Sequence, residues 1–476
     1  MNNAPSLAPS AVLLSCAVLA ISPVGAATLE IFPSSADSSC SEEFENLANG
    51  LKPGDVLILH GGTYTQTCRR AITLTGTPAS PITIRAADGE TPIVTRPEPA
   101  NFSYDQNNIE IVNSSYLVIR GLHFKGGDGG VSFIGGHHIT FEDNEVYETG
   151  NNAIRMNSGN TDAFVIRRNH IHHTGLLASS VGTTEGEGMY VGCNNATCVA
   201  SNHLIEGNYI HHTRATSDGG NDGIEIKVGS YNNTVRNNVI HDTTSGRQYP
   251  CILVYGGGAG LNVVEGNAMW NCGEAIQVVS DAIVRNNLVL NSINGITAAP
   301  HAQVAQMRNV TIANNTIYGH STCLFVRWAG AGNMVLANNA VYCPGATAVN
   351  GSGLTGSGLP GATITIRSNY VEGSLSGATV DGSRFVAGGS SASAFASPAQ
   401  LDFWPPAGSI LIGKADAGFG PALDFNERVR VSPFDVGGYE TDGRATNPGW
   451  KVGPGFKQTS PGDSLPPLAP TNLRLH

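Results

Sequence analysis

The chain has 476 residues with 59 Gly, 25 Pro, 13% charged and 7% aromatic side chains, a balance that excludes helical bundles and coiled coils, which need more charge and less Gly. A hydrophobic content of 41%, with a net charge of −11 spread over that length, excludes a disordered chain. The acidic balance and the lack of a Lys/Arg-dense run argue against nucleic acid as a partner, while an anionic polysaccharide needs only a local basic site.

In chain order, the apolar stretch Ala11 to Ile21, the helix-breaking Pro23 and the small residues Val24-Gly25-Ala26-Ala27 read as a signal peptide over 1–26. The mature protein is therefore expected to be secreted, extracellular or periplasmic. Cys16 in Leu13-Leu14-Ser15-Cys16 keeps a lipoprotein anchor as the alternative. No later apolar run approaches the ~20 residues of a membrane span, so no transmembrane segment is expected. Ser39 and Glu42 suit a capping box, and Phe44, Leu47, Ala48 and Leu51 follow at helical spacing, which predicts a short helix capping the fold within residues 27–100.

Two columns recur beyond that point. Asn followed two residues later by Ile or Val stands at Asn144, Asn169, Asn208, Asn238, Asn287, Asn315 and Asn339, with Asn267 as a variant. A second column opens short strands at Ile109, Val131, Ile154, Met189, Ile224, Ile252, Ile276, Ile296 and Leu324. Both alternate with period two at irregular intervals of about two dozen residues, which fits an all-β parallel β-helix solenoid with one coil per repeat. The Asn column then forms a ladder, each amide bonding its neighbour one coil away. The regular coil is expected over 101–345, degenerate coils and a C-terminal cap over 346–453, and a Pro-rich tail over 454–476.

Nine cysteines become eight once Cys16 leaves with the signal, and they fall as near neighbours: Cys40/Cys68, Cys193/Cys198, Cys251/Cys272 and Cys323/Cys343. Four disulfides are the simple reading, and buried free thiols are the alternative. Cys251 and Cys323 each precede a strand, with partners about one coil on, where stacked neighbours lie within bridging distance.

Leu51-Lys52-Pro53-Gly54-Asp55-Val56-Leu57-Ile58-Leu59-His60-Gly61-Gly62-Thr63-Tyr64, Pro81-Ile82-Thr83-Ile84-Arg85-Ala86 and Leu117 to Phe124 resemble the start of secreted right-handed parallel β-helix proteins, most closely the alginate lyase and chondroitinase B family of polysaccharide lyases. The phrase Asp435-Val436-Gly437-Gly438-Tyr439-Glu440 is similar to the ending of many such proteins. Asn221-Asp222-Gly223-Ile224-Glu225 is similar to the acidic calcium motif of pectate lyases with a Lys base. These resemblances imply the fold strongly and the activity weakly. The chain departs from the first family where Val228 or Gly229 stands near its Lys and Tyr255 replaces its Arg, and from the second in having no Lys on the following coil.

Stacking the strands brings one site together. Ile224 and Ile226 point inward, so Glu225 and Lys227 share the outer face. The same register sets Tyr255 beside Lys227, Glu187 beside Asp222, and Arg155 in the column of Tyr190 and Glu225. Glu187, Asp222 and Glu225, with Asn221 close by, repel one another unless a cation joins them, and hard oxygen donors suit Ca²⁺. The alternative is a solvated face with a Glu225–Lys227 ion pair. Cleavage of a uronate polymer by elimination needs charge neutralisation at the C5 carboxylate, a base and an acid, and Ca²⁺, Lys227 and Tyr255 supply them, with Arg155 and Tyr190 meeting substrate. Arg236 is a reserve cation, read first as a surface residue. His172, His211 and His241, with His173 and His212 adjacent, share a column with Tyr147, Trp270 and Tyr318; a stack of planar side chains is preferred there over a metal or acid/base site.

The expected function is a secreted polysaccharide lyase, acting as a monomer on an acidic polysaccharide by calcium-assisted β-elimination. A non-catalytic cell-surface or glycan-binding β-helix is the alternative. A glycoside hydrolase is less favoured, because Asn221-Asp222-Gly223 has no paired Asp on a neighbouring coil and the chain has no Gly-His-Gly.

Overall fold

The structure, a computed structural model, describes residues 25–33, 43–66, 71–96, 107–176, 185–216, 219–244, 249–304, 306–354 and 363–458. The signal peptide up to Val24, the capping-box pair Ser39 and Glu42, Cys40, Cys68 and the tail beyond Gln458 lie outside the described residues.

Each coil contributes three short strands to three parallel sheets. One coil runs Ile224–Ile226 in the first sheet, Thr234–Arg236 in the second and Val239–His241 in the third; the next runs Ile252–Val254, Asn262–Glu265 and Ala268–Trp270. The register joins the whole expected column, from Ile109↔Val131 through Met189↔Ile224 and Ile224↔Ile252 to Ile296↔Leu324. The fold is an all-β right-handed parallel β-helix. Its core is a stack of fully buried aliphatic rungs such as Ile224, Val235 and Ile240, each contributing roughly 1.5–3 kcal/mol by leaving water. The helix Glu43–Gly50 adds Phe44 and Ala48 to that core, as its spacing predicts.

The Asn column is the ladder the spacing implies, and it reaches one coil further. Nδ2 of Asn208 donates to Oδ1 of Asn238 at 2.9 Å, Asn238 to Asn267 at 2.9 Å, and the chain continues through Asn287, Asn315 and Asn339 to Asn369. Each ladder Asn follows a residue in the left-handed region, among them Asp143 (φ 56°), Asn237 (φ 57°) and Gly266 (φ 66°). That conformation turns the chain sharply from the second sheet into the third, and Asn, Asp and Gly adopt it at least cost. The buried amide then satisfies backbone groups the corner strips of sheet partners: Nδ2 of Asn238 also donates to the Ile205 carbonyl, and its Oδ1 accepts from Asn208 N–H.

Two details differ from the sequence expectations. Disulfides join Cys193–Cys198, Cys251–Cys272 and Cys323–Cys343, but the last two do not link stacked neighbours. Ile252 is in register with Ile276, so Ala275 stacks on Cys251, while Cys272 sits in the turn after the third-sheet strand of its own coil. The bridge therefore spans the corner between the third and first sheets. The second difference is the C-terminal region. The coil ends with Phe385–Ala387, and the chain from Gly388 to Lys457 lies as a strap along the outer flank of the third sheet. Phe395, Phe403, Trp404, Phe425 and Tyr439 cover Leu288, Leu290, Ala340 and Tyr342. The closing phrase fixes the strap: Gly438 N–H donates to Thr316 Oγ1 at 3.0 Å and Gly437 N–H to the Asn338 carbonyl at 2.9 Å.

Candidate functional site

The sequence-derived cluster forms on the outer face of the first sheet. Gly188 and Gly223 precede two successive strands at a corner where a Cβ would strike the next coil's backbone and Ile210 or Ile240. Glycine there lets Glu187 and Asp222, one residue earlier, stack beside the outward-facing Glu225. Ligand oxygens of the three acids lie within 4.8 Å of one another, and all three are buried.

Lys227 Nζ donates to Glu225 Oε1 at 2.6 Å and lies over the rings of Tyr190 (4.4 Å) and Tyr255 (5.1 Å). Burial, reinforced by the charges of Glu225 and Glu185, pushes Glu187 up to about 8. Asp222 is raised well above the usual carboxylate range by burial and then by Glu225 and Glu187. Burial raises Glu225 too, against the opposing pull of Lys227. Both tyrosines are pushed up by burial and then by Glu225.

The donor set fits a hard divalent cation. Asp222 Oδ1 is buried without a hydrogen-bond partner. Gly220 packs directly on the acids, where a Cβ would collide with Glu187 and crowd Asp222. Three carboxylates face one ammonium in direct contact, so the cluster carries excess negative charge that a cation or protons must offset. Asn221 is also buried here, its Nδ2 donating to the Thr243 carbonyl at 2.7 Å.

The remaining expected residues stand outside the acid trio. Arg155 stands in register with Tyr190, but its guanidinium is engaged by Asp128 (2.8 Å), Asn107 (3.0 Å) and Asn152 (2.6 Å). Asn152 in turn donates to Glu187, so Arg155 braces the acid cluster. Arg236, the reserve cation, lies on the second sheet and pairs with Glu206 at 2.6 Å; its strand faces away from the cluster and it does not join it. The histidines do stack: His172 on His211 at 5.1 Å and 5°, His211 on His241 at 5.2 Å and 6°, His241 on Trp270 at 4.6 Å and 13°.

Sequence reasoning missed two contributors. Asn152 falls in the same register row as Glu187 and Asp222, so stacking already holds the signal. His301 does not: it sits in the turn after Asn294–Ala298, edge-on to Tyr255 with ring centroids 4.8 Å apart, and burial and then Lys227 lower its pKa. Val304 of that turn joins the core cluster with Leu253 and Tyr255, and Gln303 reaches Asn194 across the intervening coils at 3.4 Å. The turn is thus a cover over Lys227 and Tyr255, each 4% exposed.

Residues 83–216 and 197–341 match the right handed beta helix region, together more than half of the chain. The chain belongs to that family. Among solved structures, this β-helix chain is similar to an alginate lyase from Paenibacillus sp. str. FPU-7, with 20% identity over 65% of this chain and 97% of that one and a TM-score of 0.44. It is also similar to the pectate lyase Pel9A (14% identity, 87% and 96% coverage, TM-score 0.45) and to a mannuronic acid specific family 6 lyase from human gut microbiota (15% identity, 75% and 89% coverage, TM-score 0.43). No curated protein is matched.

Proposed function

We propose that the protein is a secreted, monomeric polysaccharide lyase that cleaves a uronate-containing polymer by calcium-assisted β-elimination. The observation that carries this reading is the apposition of Lys227 and Tyr255 to a buried trio of carboxylates whose ligand oxygens lie within 4.8 Å of one another. Disulfides fit an oxidising compartment, and no helix among the described residues is long and apolar enough to cross a membrane.

Glu187, Asp222 and Glu225, with Asn221, would hold the calcium ion, which supplies positive charge to neutralise the uronate carboxylate and acidify the C5 hydrogen. Lys227 in its free-amine form takes the C5 proton. The C4–O bond breaks as the C4=C5 double bond forms, and Tyr255 gives its hydroxyl proton to the departing oxygen. Tyr190 supports the Lys227 ammonium once it is charged. The turn carrying His301 and Val304 has to open for a polymer to reach these groups.

That cover also favours a second reading, a non-catalytic glycan-binding β-helix whose acid cluster holds a structural cation. Ultraviolet absorbance of an unsaturated product, measured on alginate, pectate, glucuronan and glycosaminoglycans with calcium and then with chelator, separates the two. A rise abolished by chelator is expected, with Lys227→Ala and Tyr255→Phe each lowering turnover about 10²–10⁴-fold. Unchanged turnover in both variants sinks the mechanism. No rise on any polymer, with reducing ends also constant, moves the assignment to the binding reading.

A further inference from the structure

The third sheet gathers a second cluster of different chemistry. Glu145 lies in register between His123 on the coil before and His170 on the coil after. Phe124, Val146 and Ile171 point into the core, so 123, 145, 170 and 172 project from the outer face. His123 Nδ1 is 2.7 Å from Glu145 Oε2, while His170 Nδ1 at 3.0 Å and His172 Nε2 at 2.9 Å share Oε1. The other nitrogen of His170 meets His211 Nε2 at 2.9 Å. Ring stacking explains why flat side chains occupy these rows, since Tyr147, Tyr209 and Trp270 stand there too. It does not require three ring nitrogens from two different coils to meet on the single carboxylate of a third.

We propose that Glu145, His170 and His172, whose ligand atoms all lie within 4.8 Å of one another, form a binding site for a divalent transition-metal ion of borderline softness, zinc foremost, with the fourth position left to solvent. Imidazole nitrogens with one carboxylate select such an ion over calcium, which prefers six to eight oxygens. A tetrahedral ion with bonds of about 2.0–2.1 Å holds its ligand atoms about 3.3 Å apart. The contacts of His170 and His172 with Glu145 Oε1, at 3.0 and 2.9 Å, open to that spacing by a few tenths of an ångström as the ion replaces shared protons. The side chains are 14–30% exposed, so an ion reaches them from solvent. The three imidazoles hold the Glu145 carboxyl far below its usual range, keeping it ionised as a ligand must be. An ion here staples two successive coils beside Phe456 of the strap, which packs edge-on against His170.

The test uses the tag-free full chain, stripped with chelator and titrated with Zn²⁺ and Co²⁺ by calorimetry. One equivalent of Zn²⁺ is expected, undisturbed by excess Ca²⁺, with Co²⁺ giving visible absorption of a tetrahedral site. Glu145→Gln and His170→Gln are each expected to weaken binding about tenfold or more, and His212→Ala to leave it unchanged. Absence of stoichiometric binding, or binding that survives Glu145→Gln and His170→Gln together, overturns the site. Zinc X-ray absorption of the unaltered chain needs no variant: imidazole nitrogens in the shell support the assignment, and an all-oxygen shell overturns it.

Discussion

The first and third sheets belong to the same coils, yet their outer faces have opposite characters. A first-sheet strand runs in-out-in, as in Ile224-Glu225-Ile226, and presents one outward side chain per coil; a third-sheet strand runs out-in-out, as in Tyr209-Ile210-His211, and presents two. The first face supplements its single row with turn residues, Glu187 and Asp222 at one end and Lys227 and Tyr255 at the other, and is roofed by the turn carrying His301. The third face fills two rows with rings and stays half open around Glu145. Reversing the phase of the alternation therefore turns one repeat into a buried oxygen-rich cluster on one side and an accessible imidazole surface on the other.

Four measurements break or sharpen this contrast. The largest effect is expected from Lys227→Met in chelator at pH 8, which leaves buried carboxylates without their ammonium: a loss of about 3–5 kcal/mol in urea denaturation, smaller in calcium. Stability equal to the parent would mean that the acids are already neutral. Asn238→Ala removes a ladder amide that both faces depend on, and about 3 kcal/mol should be lost with or without calcium, since it strands partners on Asn208 and Asn267. A calcium-dependent loss would show that the ladder is coupled to the acid cluster.

The two faces should also titrate in opposite senses. Glu187 is raised from 4.5 to about 8, so without a cation the folded state keeps a proton that the unfolded chain has released. The stability this contributes is complete below about 4.5 and is lost as pH rises through 8. His211 is lowered from 6.5 to about 2, chiefly by burial, so its contribution is present above 6.5 and is lost as pH falls toward 2. Melting temperature against pH should show both limbs, with calcium removing only the alkaline one. An alkaline decline indifferent to calcium would count against the cation site. The smallest effect is expected from His241→Leu, which keeps apolar cover but ends the ring stack between His211 and Trp270, at a cost of about 0.5–1.5 kcal/mol by thermal melting.

Much of the coil was legible in the sequence. Ile109 through Leu324 fall in one register, and the ladder runs through every Asn named from spacing, because period-two alternation and left-handed corners are local properties of the chain. The same local rule correctly placed Glu187 beside Asp222 and Tyr255 beside Lys227. It placed Arg155 in the row of Tyr190 but did not reveal that its guanidinium reaches Asp128, since register fixes where a Cα stands but not which neighbour a long side chain meets. It also misjudged the path of the Cys251 and Cys323 bridges, because spacing of about one coil fits either a stacked pair or a corner.

By itself, then, the sequence determined the repeat, the inward rungs and the rows in which the charged and ring side chains stand. Tertiary structure alone decided that His301 and Val304 roof the acid cluster, that the strap from Gly388 to Lys457 covers part of the third sheet, and that three imidazoles meet on Glu145. The reason is physical: a rung repeats because each strand hydrogen-bonds its neighbours at a fixed spacing, whereas a turn or strap has no such ladder and takes its path from whatever surface it can bury.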